Sequence, residues 1–283
     1  MNDADVFAKG PAWLFCPADR PDRYAKAAAA ADVVIIDLED AVAPTGRRQA
    51  REQLLRAADV LAPSATVIRI NPAGTDDHHA DLDALARLPF RHVMLAKAES
   101  GDQVAALQGF AVVALCETPR GVQNAFAIAA APSCAGLMWG AEDLVAALGG
   151  TSSRRDDGRY RDVARHARSA VLLAAAAADR PALDAVVLDI ADEAALSEEA
   201  ADAAASGFAG KVCIHPRQLP FVRTAFTPSA EEAEWARAVL DASRASGAEG
   251  GVFTFQGSMV DEPVLRRARQ ILARAPRGRQ SAS

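Results

Sequence analysis

Short apolar runs alternate with longer stretches of helical period along most of the chain. The apolar runs fall at 13–16, 33–37, 66–70, 92–96, 111–116, 136–139, 184–188 and 211–214. Most are continuous rather than alternating, the pattern of parallel strands buried on both faces. Patterns of helical period occupy 23–31, 46–61, 80–88, 102–108, 121–131, 143–148, 160–178 and 192–206. Strand followed by helix, eight times over, predicts an α/β fold, a (β/α)8 TIM barrel. A doubly wound open sheet is the alternative, but no G-x-G-x-x-G follows the first strand. The polar stretch GGTSSRRDDGRYRD (149–162) reads as a loop with Arg154, Arg155 and Arg159 in solvent. Beyond residue 226 lies a C-terminal extension: a helix over 229–246, a Gly-rich turn, a strand-like VFTF, the segment QGSMVD and a helix over 262–275. The expected division is a catalytic barrel over 1–226 and an extension over 227–283, with the tail PRGRQSAS disordered.

Composition narrows the function class. At 283 residues with 51% hydrophobic and 24% charged residues, the chain is an ordinary globular protein. Aromatics are only 5%, so the core is expected to be built from Ala, Val, Leu and Ile. A net charge of -6 argues against nucleic-acid binding, which needs a basic face. The longest apolar run, 170–178, is too short to span a bilayer, and no export signal is visible. Cys16, Cys116, Cys134 and Cys213 form no C-x-x-C pair. They are expected to be buried, reduced thiols of a cytoplasmic protein.

In a (β/α)8 barrel the C-terminal strand ends build the active site. Here those ends carry Asp37, Glu39 and Asp40; Arg69 and Asn71; Lys97 and Glu99; Glu117; Glu142 and Asp143; Asp189; and His215. Glu117 and Asp143, after adjacent strands, are candidate Mg2+ ligands, with helix capping an alternative for Asp143. Arg69 inside a buried strand needs an anion. That anion is either Asp37 or Glu39, or a substrate carboxylate or thioester oxygen held by the guanidinium fork. Arg20 and Lys26 flank the first loop and either meet phosphates or are solvated charges. His78-His79 lacks ligand spacing and is expected at the surface; His215, before Pro216, is expected to anchor a loop.

Nine strings in order resemble one family: WLFCPADRPDRYAKA, VVIIDLEDAVAP, VIRIN, VMLAKAES, ALCETPRGV, MWGAEDL, KVCIHPRQ, FTPSAEE and MVDEPVLRRA. Together, over roughly residues 11–275, they resemble the citrate lyase β-subunit-like proteins. These are relatives of malyl-CoA lyases in the HpcH/HpaI aldolase/citrate lyase group. The stand-alone mycobacterial type is the nearest likeness, through WLFCPADRP and SSRRDDGRYRDVARH.

The resemblance implies a Mg2+-dependent homotrimer that cleaves or forms carbon–carbon bonds between a CoA thioester and a keto acid. It places the metal on Glu117 and Asp143, the substrate on Arg69 and Glu117, and CoA on Phe15, Arg20 and Lys26. It places acid–base chemistry on Asp261, donated to the neighbouring subunit; Asp261 read by itself is equally an N-cap before Pro263. Arg69, Asp37 and Glu39 complete the candidate catalytic set. A citrate lyase subunit working on an acyl-carrier thioester and a non-enzymatic CoA-ester binder are the competing functions. Two positions depart from the family pattern. Ala18 stands where relatives often have Gly, and Ala96 where they have Pro. The first puts the phosphate loop in doubt if Gly is needed for its backbone angles.

Overall fold

The computed structural model describes residues 5–245 and 251–275. It divides into two compact units, Met1–Arg223 and Thr224–Ser283. In the first, eight parallel strands close into a barrel in sequence order: β1 (Ala12–Pro17), β2 (Val33–Asp37), β3 (Thr66–Ile70), β4 (His92–Leu95), β5 (Ala111–Cys116), β6 (Cys134–Trp139), β7 (Ala182–Asp184) and β8 (Gly210–Cys213). The eight predicted strands are all present.

Two faces of each strand explain the apolar runs. Val34, Ile36, Ile68, Val93, Val112 and Leu137 are fully or almost fully buried, beside inward residues equally buried. The inward set, two residues apart on each strand, packs as one cluster that includes Trp13, Ile35, Val67, Met94, Val113, Met138, Leu183 and Val212, with Val33 and Leu115. Val6 joins this cluster and Phe7 packs on it, its ring 5.0 Å from that of Trp13. A side chain at Gly136 would strike the Phe7 ring at 2.4 Å, so glycine makes room for this aromatic stopper. The N-terminal end of the barrel is thereby filled.

One step of two further along, the inward positions become Phe15, Asp37, Arg69, Leu115, Gly140, Ala185 and Ile214, with Glu117 one more step beyond Leu115. They line a cavity of about 240 Å3 at the C-terminal end. The strand period that builds the core thus also aims the polar residues into the mouth.

Several local expectations change. The seventh strand is Ala182–Asp184, not 184–188. Its last pairing is Asp184 with Lys211, and Val186 and Leu188 run on as cavity wall, with Asp189 exposed beyond them. The helix expected over 80–88 begins at Asp76, because Thr75 caps it by accepting from the His78 N–H. His78 is therefore buried in the first turn, its Nδ1 2.9 Å from the Asn71 carbonyl oxygen; only His79 is exposed. The pattern over 121–131 is two short helices, Pro119–Gln123 and Ala125–Ala129, meeting at Asn124. In the 149–162 loop Arg154 is not solvated. It stacks 3.8 Å over Tyr160 and pairs with Glu199 at 2.5 Å, whereas Arg155 and Arg159 make exposed pairs.

All four cysteines are free and buried. His215 anchors its loop as expected, its Nδ1 accepting from the Arg217 N–H. No helix of the described residues is long and apolar enough to cross a membrane.

The second unit has its own small core, Ala236, Val239, Val260, Leu265 and Ala268, between helices Ala230–Ala245 and Glu262–Arg274. Its strand-like VFTF is one arm of a hairpin, β9 (Phe253–Phe255) with β10 (Ser258–Val260). The turn residues Gln256 and Gly257 both have positive φ, which matches the right-handed twist of the strands. Residues 246–250 and the tail 276–283, for which a turn and disorder were expected, lie outside the described residues.

Candidate active site

The mouth is organised by a buried ion pair. Asp37 and Arg69 sit opposite each other in the β2–β3 register. Arg69 donates from Nε to Asp37 Oδ1 at 2.6 Å and from Nη2 to Oδ2 at 2.5 Å, a bidentate fork. Its Nη1 lies 3.4 Å from Glu39 Oε2, and its guanidinium rests 4.6 Å over the Phe15 ring. Asp37 also accepts from the backbone N–H groups of Glu39 and Ala41. Four donors fill its carboxylate, so Asp37 aims Arg69 and pins the loop after β2. Arg69 has five N–H donors; three face Asp37 and Glu39, and the guanidinium still borders the cavity. The internal pair and a substrate grip are therefore compatible.

Glu117 follows β5 and is 4% exposed. Burial, then the neighbouring Asp143 charge, push its carboxyl up to about 8. Its Oε1 accepts from the Lys97 backbone N–H at 3.1 Å. A Cβ on Gly140 would lie 2.8 Å from Glu117 Cβ and 2.9 Å from Oε2, so the absent side chain is the space Glu117 occupies. Asp143 lies in the first turn of helix Glu142–Ala147, with its side chain 37% exposed. The N-cap there is Ala141 and no side chain caps the helix, so Asp143 does not have the capping role. Glu142 also borders the cavity, but Ser153 Oγ donates to it at 2.6 Å.

Lys97, expected at the end of the fourth strand but given no role there, stands at the centre of these carboxylates. It follows β4 with φ of 50°, a left-handed conformation uncommon outside glycine. Its Nζ lies 2.5 Å from Glu39, 3.3 Å from Asp40, 3.4 Å from Asp143 and 4.0 Å from Glu117. These carboxylates hold its ammonium well above the usual lysine range, against the opposing effect of burial. Burial raises Glu39, and Arg69 and Lys97 pull it back. A signal was available: only four of the chain's 31 basic residues are lysines.

The candidate CoA residues are spread out. Phe15 is in the cavity wall. Arg20 lies on the loop after β1, paired with Asp22 at 2.8 Å, and Lys26 is exposed on helix Tyr24–Ala30. Ala18 does not have a positive φ. Its N–H donates to the Asp37 carbonyl and its own carbonyl accepts from Tyr24 Oη at 2.6 Å, so the loop forms without glycine. At the other departure, the Ala96 N–H donates to the Ile70 carbonyl at 3.3 Å, a bond proline could not make. Asp261, in the second unit, caps helix Glu262–Arg274 by accepting from the Val264 N–H at 3.3 Å.

Among the described residues no group of three or more His, Cys, Asp or Glu is arranged to hold a metal ion. Two carboxylates with solvent and substrate oxygens are nevertheless the usual donor set of a hard cation such as Mg2+. The buried Glu117 carboxyl, raised and with Asp143 as its neighbour, fits such a cation.

Three comparisons bear on this site. Residues 12–216 match the HpcH/HpaI aldolase/citrate lyase family. A citrate lyase subunit beta-like protein of Mycobacterium tuberculosis is 59% identical over 268 residues, 95% of this chain and 96% of that protein. The human mitochondrial citramalyl-CoA lyase is 30% identical over 86% of this chain and 78% of that protein. Among solved structures, the M. tuberculosis protein CitE in complex with magnesium, acetoacetate and coenzyme A superposes with a TM-score of 0.89. It is 58% identical and covers 95% of this chain and 98% of that one.

Proposed function

The chain belongs to the HpcH/HpaI aldolase/citrate lyase family and is a lyase, and on that premise we propose that it is a Mg2+-dependent carbon–carbon lyase of CoA thioesters. Its substrate class is a 3-hydroxyacyl-CoA of the malyl, citramalyl or hydroxymethylglutaryl type, cleaved reversibly to a short acyl-CoA and a keto acid. The observation that carries this reading is Glu117 beside Asp143 at the mouth, its carboxyl raised by burial and by the Asp143 charge. Glu117 and Asp143 would hold Mg2+, which would supply positive charge there and the Lewis acidity that polarises the small acid's C–O bond.

The chain's own groups do the rest. Arg69, locked by Asp37 and Glu39, offers its remaining N–H donors to the thioester oxygen, where negative charge grows as the carbon–carbon bond breaks. Being already oriented, it needs no reorganisation at that moment. Leu115, Met138 and Val186 keep the cavity floor apolar, which strengthens that electrostatic contact. Phe15 walls the acyl end, and Arg20 and Lys26 meet the CoA phosphates from the first loop and helix. Asp261 is the group that exchanges a proton with the enolate carbon, in a site shared between subunits of a homotrimer.

The test is a panel of 3-hydroxyacyl-CoA thioesters assayed for release of acetyl- or propionyl-CoA. Turnover of at least one free thioester is expected, abolished by EDTA and by Glu117→Ala or Asp143→Ala. Turnover only of an acyl-carrier thioester, or of none, overturns the proposal.

A further inference from the structure

The ammonium of Lys97 stands where the two proposed metal ligands need a cation. It is 3.4 Å from Asp143 and 4.0 Å from Glu117, and it reaches two other carboxylates more closely, Glu39 at 2.5 Å and Asp40 at 3.3 Å. Glu39 is its nearest partner and Glu117 its farthest, with Asp40 and Asp143 at nearly equal distances between them. We propose that Lys97 is a built-in occupant of the metal site: its ammonium stands beside Glu117 and Asp143 while the site lacks Mg2+, and yields them by retreating onto Glu39 and Asp40 when the ion enters.

The backbone supports this assignment. Lys97 has φ of 50°, a conformation that costs a non-glycine residue energy and is held only when its surroundings fix it. In this conformation the main-chain N–H meets Glu117 Oε1 at 3.1 Å while the side chain of the same residue crosses to Glu39, Asp40 and Asp143. The N–H contact does not depend on the ammonium, so Glu117 keeps a donor when the side chain withdraws. The residue type fits as well. Lysine is a compact charge on a flexible four-carbon stem, able to change partners. Arginine's rigid planar fork suits a fixed pair such as Arg69 with Asp37. The chain has 27 arginines and four lysines, and one of the four is here.

Charge balance gives the functional sense. Lys97 is the ammonium that stands among Glu39, Asp40, Glu117 and Asp143, while Arg69 pairs with Asp37 and Glu39. Without a cation there, the Asp143 charge acts unopposed on the buried Glu117 carboxyl. Lys97 thus keeps the empty site assembled, and Mg2+ must displace it, which weakens the metal's affinity. Lys97 is in this sense a positioning residue for the metal ligands.

The inference rests on the metal reading above, and the experiment separates the two. Lys97→Asn removes the charge, and asparagine tolerates the left-handed backbone better than most residues. Titration calorimetry of Mg2+ into wild type and Lys97→Asn, without thioester, is expected to show binding tighter by on the order of tenfold in the variant. The reason is that a like charge within about 4 Å of both ligands is gone. Melting temperature in EDTA is expected to fall in the variant, and Mg2+ to restore more of it than it adds to wild type.

A second measurement uses the unaltered protein, should the variant fold poorly. Acetylation with a water-soluble N-hydroxysuccinimide ester is followed by peptide mass spectrometry. Lys97 is expected to be modified several-fold faster with Mg2+ than with EDTA, while the exposed Lys26 is unchanged. Mg2+ affinity that is equal or weaker in Lys97→Asn, or Lys97 labelling indifferent to Mg2+, overturns the inference and leaves the metal reading standing. Absence of Mg2+ binding by wild type overturns the metal reading itself.

Discussion

Replacing Glu117 by glutamine removes one ionisable proton from the mouth at nearly constant shape. In the metal-free protein the Glu117 carboxyl is raised from 4.5 to about 8, so between those values the folded state holds a proton that the unfolded chain has released. Stability then falls as pH rises. The favourable contribution of protonated Glu117 is fully present below about 4.5 and is lost as pH climbs through about 8. The gap corresponds to roughly 3–5 kcal/mol. Glutamine has no such dependence, and every other titrating group is common to both proteins. The difference in unfolding free energy, variant minus wild type, is therefore expected to grow in the variant's favour from pH 5 to pH 8 and then level off. Urea denaturation in EDTA at several pH values measures it. Saturating Mg2+ should reverse the order, since only wild type keeps both metal ligands. A difference independent of pH in EDTA refutes the account of Glu117 as a carboxyl raised by burial and by Asp143.

Gly140→Ala places a methyl 2.8 Å from Glu117 Cβ; calorimetry is expected to show Mg2+ affinity at least about tenfold weaker, with a near-native circular dichroism spectrum. Asp37→Asn leaves Arg69 buried beside a neutral partner and is expected to cost roughly 3–5 kcal/mol, read from the denaturation midpoint. Arg20→Ala is expected to weaken CoA-thioester binding but not keto-acid binding, with an effect that shrinks as salt rises; equal loss for both ligands assigns Arg20 to the fold. Asp261→Ala and Glu117→Ala, each inactive alone, are expected to regain roughly a quarter of the sites when refolded together, if the sites are shared in a closed ring. No recovery in confirmed mixed oligomers excludes sharing, and an active Asp261→Ala leaves only the capping role.

The barrel was legible because burial on both faces makes each strand an uninterrupted apolar run, and because charge at a strand's end is costly anywhere but the mouth. The same rule misplaced the seventh strand. Val186 and Leu188 are apolar to wall a cavity, and apolarity alone does not tell a wall from a sheet. His78 was misread because Thr75, not the first apolar residue, starts its helix. Arg154 was misread because its partners Tyr160 and Glu199 include one 45 residues away. Of the site, Glu117, Asp143, Arg69, Asp37 and Glu39 could be found by their position at strand ends. Lys97 could be placed at a strand end too, but not given its role, and Gly140 could not be found. What matters in one is a left-handed φ that aims two groups at once, and in the other the volume of a missing Cβ; neither is written in the apolar pattern.

The aromatic stopper of Phe7 against Trp13, with Gly136 cleared to admit it, makes the reaction chamber a cul-de-sac. Whatever enters by the mouth must leave by it. For a cleavage with two products, depth then becomes departure order. In the reaction proposed above, the fragment nearest the opening, the acyl-CoA, is expected to exit before the acid held deeper in the cavity. The small acid is then expected to leave last, and it alone would meet the same vacant form of the protein that the whole thioester must find.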